Sequence, residues 1–131
     1  PEHLRRLCND GVVAIGYIED LTEIFDRVRL TVAPLTYGAG IKGKVIESLG
    51  AGLPCVCTPI AAEGLDLPEA LQACVAESAE GIAALICKLH DNAKANKVCS
   101  RAGLEYVETA FSNDRLDAGI RQVLGSGVAD L

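Results

Sequence analysis

The run VAPLTYGAGIKGKVIESLGAGLPCVCTP, residues 32–59, constrains this chain more than any other part of it. An apolar segment over residues 30–34 leads into a glycine-studded loop over 37–43, a helix predicted over 41–50, and a second apolar segment over 54–57. That order is a βαβ unit, which requires two parallel strands joined by a right-handed crossover. Pro34 lacks a ladder N–H and marks the end of the first strand; Gly50 and Gly52 stop the helix, and Pro54 starts the second strand. The expected fold is α/β: a Rossmann-like parallel sheet with flanking helices and a helical C-terminal tail, all in one domain.

Two phosphate-binding patterns overlap in the loop. Gly38, Gly40 and Gly43 spell G-x-G-x-x-G, and the first and last of them with Lys44 spell G-x-x-x-x-G-K. A P-loop needs Ser or Thr next, to hold Mg²⁺, and residue 45 is Val; the following strand also ends without a carboxylate. A dinucleotide fingerprint should follow its strand directly, whereas Leu35, Thr36 and Tyr37 intervene. Its ribose-binding acid is expected where Thr58 stands, although Glu63 lies at a suitable distance along the chain. Both patterns share one physical consequence. Glycines opening a helix present N–H groups and the positive end of a dipole, and Lys42 and Lys44 add charge, so the expected guest is a phosphate or diphosphate.

At 100° per residue, Ile41, Val45, Ile46 and Leu49 fall on the face expected to pack on the sheet, with Glu47 opposite, on a stripe with Gly43 and Gly50. Each interior glycine costs a helix roughly 1 kcal/mol relative to alanine, so a close approach is expected there. Two readings stand side by side: another helix packs on the stripe while Glu47 pairs with Lys44, or Glu47 accepts hydrogen bonds from ligand hydroxyls.

Residues 34–65, PLTYGAGIKGKVIESLGAGLPCVCTPIAAEGL, resemble the sugar-nucleotide-binding region of group 1 (family 4 type) glycosyltransferases of the GT-B fold, and residues 16–34 fit the same family just upstream. The likeness is good over about residues 12–77 and looser over the tail. It implies transfer of a sugar from a nucleotide-diphosphate donor held by the C-terminal of two Rossmann-like domains, with an acceptor such as a sugar or glycolipid and no cofactor or metal. By the resemblance, Glu47 holds the donor ribose, amides of Gly38, Ala39, Gly40 and Ile41 hold phosphate or sugar, and Tyr17 and Ile18 border the base. Many members carry E-x₇-E, and Ala39 stands where the first glutamate would fall, so no catalytic carboxylate or stereochemical outcome carries over. Lys42 is the nearby charge that would compensate.

Length and composition fit this picture. The 131 residues suit one domain, half of them apolar, with a core over about 12–77 and a helical tail over 78–131. The first residue is Pro1, and the expectation is a fragment of a longer protein whose N-terminal domain supplies the acceptor site and any base, leaving this part inactive alone. The net charge is −6, yet residues 27–62 hold Arg27, Arg29, Lys42 and Lys44 against Glu47 alone, which suits a phosphorylated small ligand and argues against nucleic acid. No apolar run is long enough for a membrane span or leader. A cytoplasmic protein is expected, peripheral at the inner membrane face if it serves polysaccharide or glycolipid assembly. None of the six cysteines form C-x-x-C; they read as buried reduced thiols, with Cys55 and Cys57 expected on opposite faces of one strand.

In chain order, a helix is expected over 1–8, a strand over 12–15, and a helix over 20–28 capped by Asp20 with Glu23 in capping-box spacing. A loop over 58–66 brings Thr58, Pro59, Ile60 and Glu63 near the ligand edge, with Glu63 and Asp66 read first as solvated loop carboxylates and second as contacts to donor or acceptor, and a short strand over 73–76 follows. Helices are then expected over 79–90, 92–110 and 113–124, the last capped by Ser112; the resemblance implies a terminal helix that returns toward the N-terminal domain, so part of this tail is expected to expose an apolar face and to favour self-association. Two rivals remain: a nicotinamide dehydrogenase fragment using Glu63 for the ribose, and a non-catalytic α/β interaction domain.

Overall fold

A short parallel pairing forms the centre of the molecule, seen in a computed structural model that describes Arg6, residues 11–37 and residues 42–111, with Lys42 by its backbone alone. β1 (Thr31–Ala33) lies parallel to β2 (Cys55–Cys57), with Thr31 opposite Cys55, Val32 opposite Val56 and Ala33 opposite Cys57. The crossover carries α2 (Lys42–Gly50). Before this unit lies α1 (Thr22–Phe25), and after it come α3 (Glu69–Gln72), α4 (Ala79–Asp91) and α5 (Ala93–Ala110).

The end of α2 shows why the crossover turns where it does. Gly52 sits at φ +80°, its N–H bonds Leu49 O at 3.1 Å, and the N–H of Leu53 reaches back to Ser48 O at 3.0 Å. These paired bonds make a Schellman stop, which needs a left-handed residue that glycine supplies without strain. Leu53 is then buried and the chain enters β2 through Pro54.

Residues two apart on a strand share a face, and β2 separates two apolar layers accordingly. Cys55 and Cys57 both face the layer of Ala33, Val45, Leu49, Ala61, Leu67 and Leu71. Val56 faces the other, with Cys74, Ile82, Leu89 and Cys99. This corrects the expectation that Cys55 and Cys57 oppose one another. Contact with Cys55 and burial push the Cys57 thiol up. All cysteines among the described residues are unpaired thiols, although Cys87 is exposed rather than buried.

α5 packs against α2, α3 and α4. At its crossing with α2, a Cβ added to Gly103 would meet Leu49 Cδ2 at 3.0 Å and Leu49 Cβ at 3.3 Å, so the missing side chain sets how closely the helices approach. Polar groups in this region are satisfied. Thr31 and Ser48 hydroxyls lie 2.6 Å apart, and Ser48 donates to Leu53 O, tying β1 to α2 and its stop. Both long helices carry side-chain caps: Ser78 accepts from the Gly81 N–H and Asn92 from the Ala95 N–H, each at 3.0 Å.

Three expected elements are shorter or missing. Residues 12–15 form no strand; Val12 makes a single bridge, and Val13 and Ile15 are 78% and 66% exposed, because no described strand lies alongside them. The helix expected over 20–28 is the single turn of α1. The Asp20 carboxylate accepts from the Thr22 N–H at 2.9 Å, one residue short of a capping box with Glu23. The strand expected over 73–76 is one parallel bridge, Val75 to Cys57, because turns continue past α3 and consume the preceding residues. The helices expected over 1–8 and 113–124, and the Ser112 cap, lie outside the described residues apart from Arg6.

Candidate functional site

The exposed flank of α2 faces the turn that contains α1, and between them lies a cleft of about 530 Å³. Lys44, Glu47, Gly50 and Ala51 line one wall; Glu19, Asp20, Leu21, Thr22, Phe25 and Asp26 line the other. The orientation of α2 follows from its buried face. Val45, Ser48 and Leu49 are at most 3% exposed, so Lys44 and Glu47 must project away from the sheet. Ser48 is the core position that the apolar periodicity missed, since its hydroxyl is satisfied internally.

Glu47 and Lys44 approach to 3.6 Å, one helical turn apart and both more than half exposed. An exposed pair of this spacing contributes only about 0.3–0.5 kcal/mol, so either partner can leave it for a ligand at little cost. The two glycines flanking Glu47 have different surroundings. Gly50 meets Val107 Cγ1 of α5 at 3.6 Å, whereas among the described residues nothing lies within 4 Å of a Cβ on Gly43. Helix packing therefore accounts for Gly50, and no described residue packs at Gly43.

The second wall is positioned by the Asp20 turn. Its bonds from Thr22, backbone first, hold the Asp20 carboxyl below its ordinary value of 3.8. Tyr17 and Ile18 directly precede this wall without lining it. Tyr17 is 91% exposed and Ile18 half-buried. Gly38, Ala39, Gly40 and Ile41 lie outside the described residues, as does the Lys42 side chain; of the charged residues described on this helix, the cleft joins Lys44 and Glu47.

The basic stretch is divided between the two ends of the sheet. Arg29 precedes β1 and its guanidinium donates to His90 O at 2.9 Å, in the last turn of α4, where a cation complements the helix dipole. His90 itself pairs through Nδ1 with Asp91 at 3.0 Å. Arg29 therefore braces α4; of the basic stretch, Lys44 lines the cleft, beside the carboxylates of Glu19, Asp20, Asp26 and Glu47.

Beyond β2, Thr58 is buried, donates from Oγ1 to Leu35 O and accepts weakly from the Ala61 N–H. It ties together the two loops that leave β1 and β2. The strand end thus carries a buried hydroxyl rather than an acid, and Glu63 is exposed in the following turn. Val45, at the position where a P-loop carries Ser or Thr, is 1% exposed in the core. Pro59 and Asp66 line a separate cleft of about 510 Å³ with Gln72 and Glu77. Asp66 also faces Tyr106, whose hydroxyl pKa is raised by burial and then by the Asp66 charge.

Among the described residues no three His, Cys, Asp or Glu side chains gather as a metal site. Among the same residues no helix is long and apolar enough to cross a membrane. Compared with protein-family models, residues 1–92 match the family described as Glycosyl transferases group 1. No curated protein and no solved structure matches the chain.

Proposed function

This chain belongs to the group 1 glycosyl transferases, and from that premise we propose that it is the donor-binding part of a GT-B enzyme that transfers a sugar from a nucleotide diphosphate to an acceptor. The observation that carries the reading is the cleft beside α2, where Glu47 and Lys44 stand exposed on the helix that follows the glycine loop. Glu47 accepts hydrogen bonds from the ribose hydroxyls, amides of residues 38–41 hold phosphate or sugar, and Tyr17 and Ile18 border the base. Lys44 and Lys42 balance the diphosphate charge. The acceptor, a sugar or glycolipid, and any base come from an N-terminal domain of the full-length protein. Location in the cytoplasm, at the inner membrane face, fits a role in polysaccharide or glycolipid assembly.

The dehydrogenase alternative has little support: its strand-end position is the buried Thr58, engaged with Leu35 O, and Glu63, the acid it would use, is not among the residues lining the cleft. A purely interacting domain would show no nucleotide preference.

Titration of isotopically labelled protein with UDP, GDP, NAD and ATP, followed through amide shifts, tests the proposal. Shifts at Tyr17, residues 38–43 and Glu47 with UDP or GDP alone are expected. A Glu47→Gln change should weaken that binding about tenfold or more, the scale of a lost charged hydrogen bond. Preference for NAD, or nucleotide binding indifferent to Glu47→Gln, overturns the assignment.

A further inference from the structure

Two buried thiols from different elements meet in the layer beneath Val56. Cys74, in the turn after α3, and Cys99, on α5, have sulfurs 3.3 Å apart, and both lie near the same carbonyl, Ala70 O, at 4.0 and 3.9 Å. They are 2% and 8% exposed, but both line an apolar cavity of about 240 Å³ with Ala70, Leu85 and Lys88 at its sides. A molecule the size of a peroxide can reach either sulfur through it. Nothing in the donor site involves these residues.

We propose that Cys74 and Cys99 are a site of reversible oxidation that closes into an intramolecular disulfide, stapling the turn after α3 to α5. With hydrogen peroxide as oxidant, one thiolate attacks a peroxide oxygen, the O–O bond breaks, and the departing hydroxide takes a proton to become water. The resulting sulfenic acid is attacked by the second sulfur; the S–O bond breaks, the S–S bond forms, and a second water leaves. Two thiols thus supply two electrons to one peroxide. A dithiol reductant reverses the bond. The staple joins positions 25 residues apart and holds in place the segment whose backbone bonds flank Cys57.

Burial, then contact with Cys99, pushes the Cys74 thiol up to about 12, with Lys88 acting against the rise. Closure is consequently slow, and the exposed Cys87 reacts first. The chain, treated with hydrogen peroxide, separated as monomer, alkylated under denaturing conditions and cut with trypsin and a glutamate-specific protease, places Cys74 in the peptide 70–77 and Cys99 in the peptide 98–101. The expected product is those two peptides joined, lighter by about 2 Da than their sum and released by dithiothreitol. The joined pair must vanish in a Cys99→Ala variant that retains its helical circular dichroism. Recovery of both cysteines as alkylated free thiols after Cys87 is fully oxidised overturns the proposal, as does either sulfur joined to Cys87 instead.

Discussion

The two walls of the cleft beside α2 are built to different standards. The α2 wall has Val45 and Leu49 in the core, a Schellman stop, a shared hydroxyl bond to β1 and a helix, α5, pressed against it. The opposite wall is one helical turn with no buried residue, held by the Asp20 turn and preceded by apolar side chains left in solvent. Both walls come from segments rich in apolar residues, so hydrophobicity alone does not separate them. What separates them, among the described residues, is burial: α2 has β1, β2 and α5 around it, while Val13 and Ile15 lie in solvent. A rigid wall that fixes Glu47 and a lightly held wall that can adjust to a guest is a common division of labour in binding sites, where mobile elements come from the less stable parts.

The comparison breaks most severely if α2 is loosened. Leu49→Ala removes a side chain 3% exposed and clamped between α2 and Gly103, and should cost about 2–5 kcal/mol in denaturant unfolding. Val13→Ser, in the exposed approach to the other wall, should change stability by less than about 0.5 kcal/mol. Equal losses at the two positions would show that the approach segment is packed as firmly as α2.

The close crossing offers a second, smaller test. Gly103→Val drives branched atoms into Leu49 and should cost about 1–3 kcal/mol from overpacking. Nucleotide binding should weaken in parallel, because α5 sets the position of α2 and hence of Glu47. If Gly103→Val destabilises the chain yet leaves donor affinity unchanged, the α2 wall is not the rigid one.

Sequence periodicity was sufficient for the α2 wall and insufficient for its partner, for reasons visible in single residues. The alternation of strand, helix and strand over 30–57, the glycine stop and the helices over 79–110 were readable from local chemistry such as the prolines at strand boundaries and Gly50 and Gly52, whereas the caps Ser78 and Asn92 came only with the structure. Residues 12–15 look as strand-like as 54–57, but a strand is completed by its neighbours, and sequence does not count neighbours. Thr58 was expected at the ligand edge and the apolar periodicity passed over Ser48; their roles depend on Leu35 and on Thr31 and Leu53, partners set by the fold. Arg29 joined the basic stretch in sequence and left it in the fold, since its partner His90 lies 61 positions away. Of the candidate site, Glu47 and Lys44 were placeable from the helix period, whereas Asp20 and Asp26 on the facing wall were not.

The smallest effect concerns the lighter wall alone. Asp20 is fully exposed, and its carboxyl is held below its ordinary value by the Thr22 backbone bond first and the Thr22 side chain second. A carboxyl lowered on folding contributes stability that is present above its unfolded value and lost as the pH falls through the folded one. The turn should therefore hold above about pH 4 and loosen as acid protonates Asp20 below that. Amide exchange read by NMR should show the Thr22 N–H losing protection on that descent while the Val56 N–H, in the centre of the sheet, keeps its own until the whole chain unfolds. Asp20→Asn should flatten the Thr22 response, since an amide oxygen accepts the same bond without titrating. A Thr22 amide that loses protection at the same pH as Val56 would mean that both walls unfold as one unit, and the lighter wall would then owe its order to the fold as a whole rather than to its own turn.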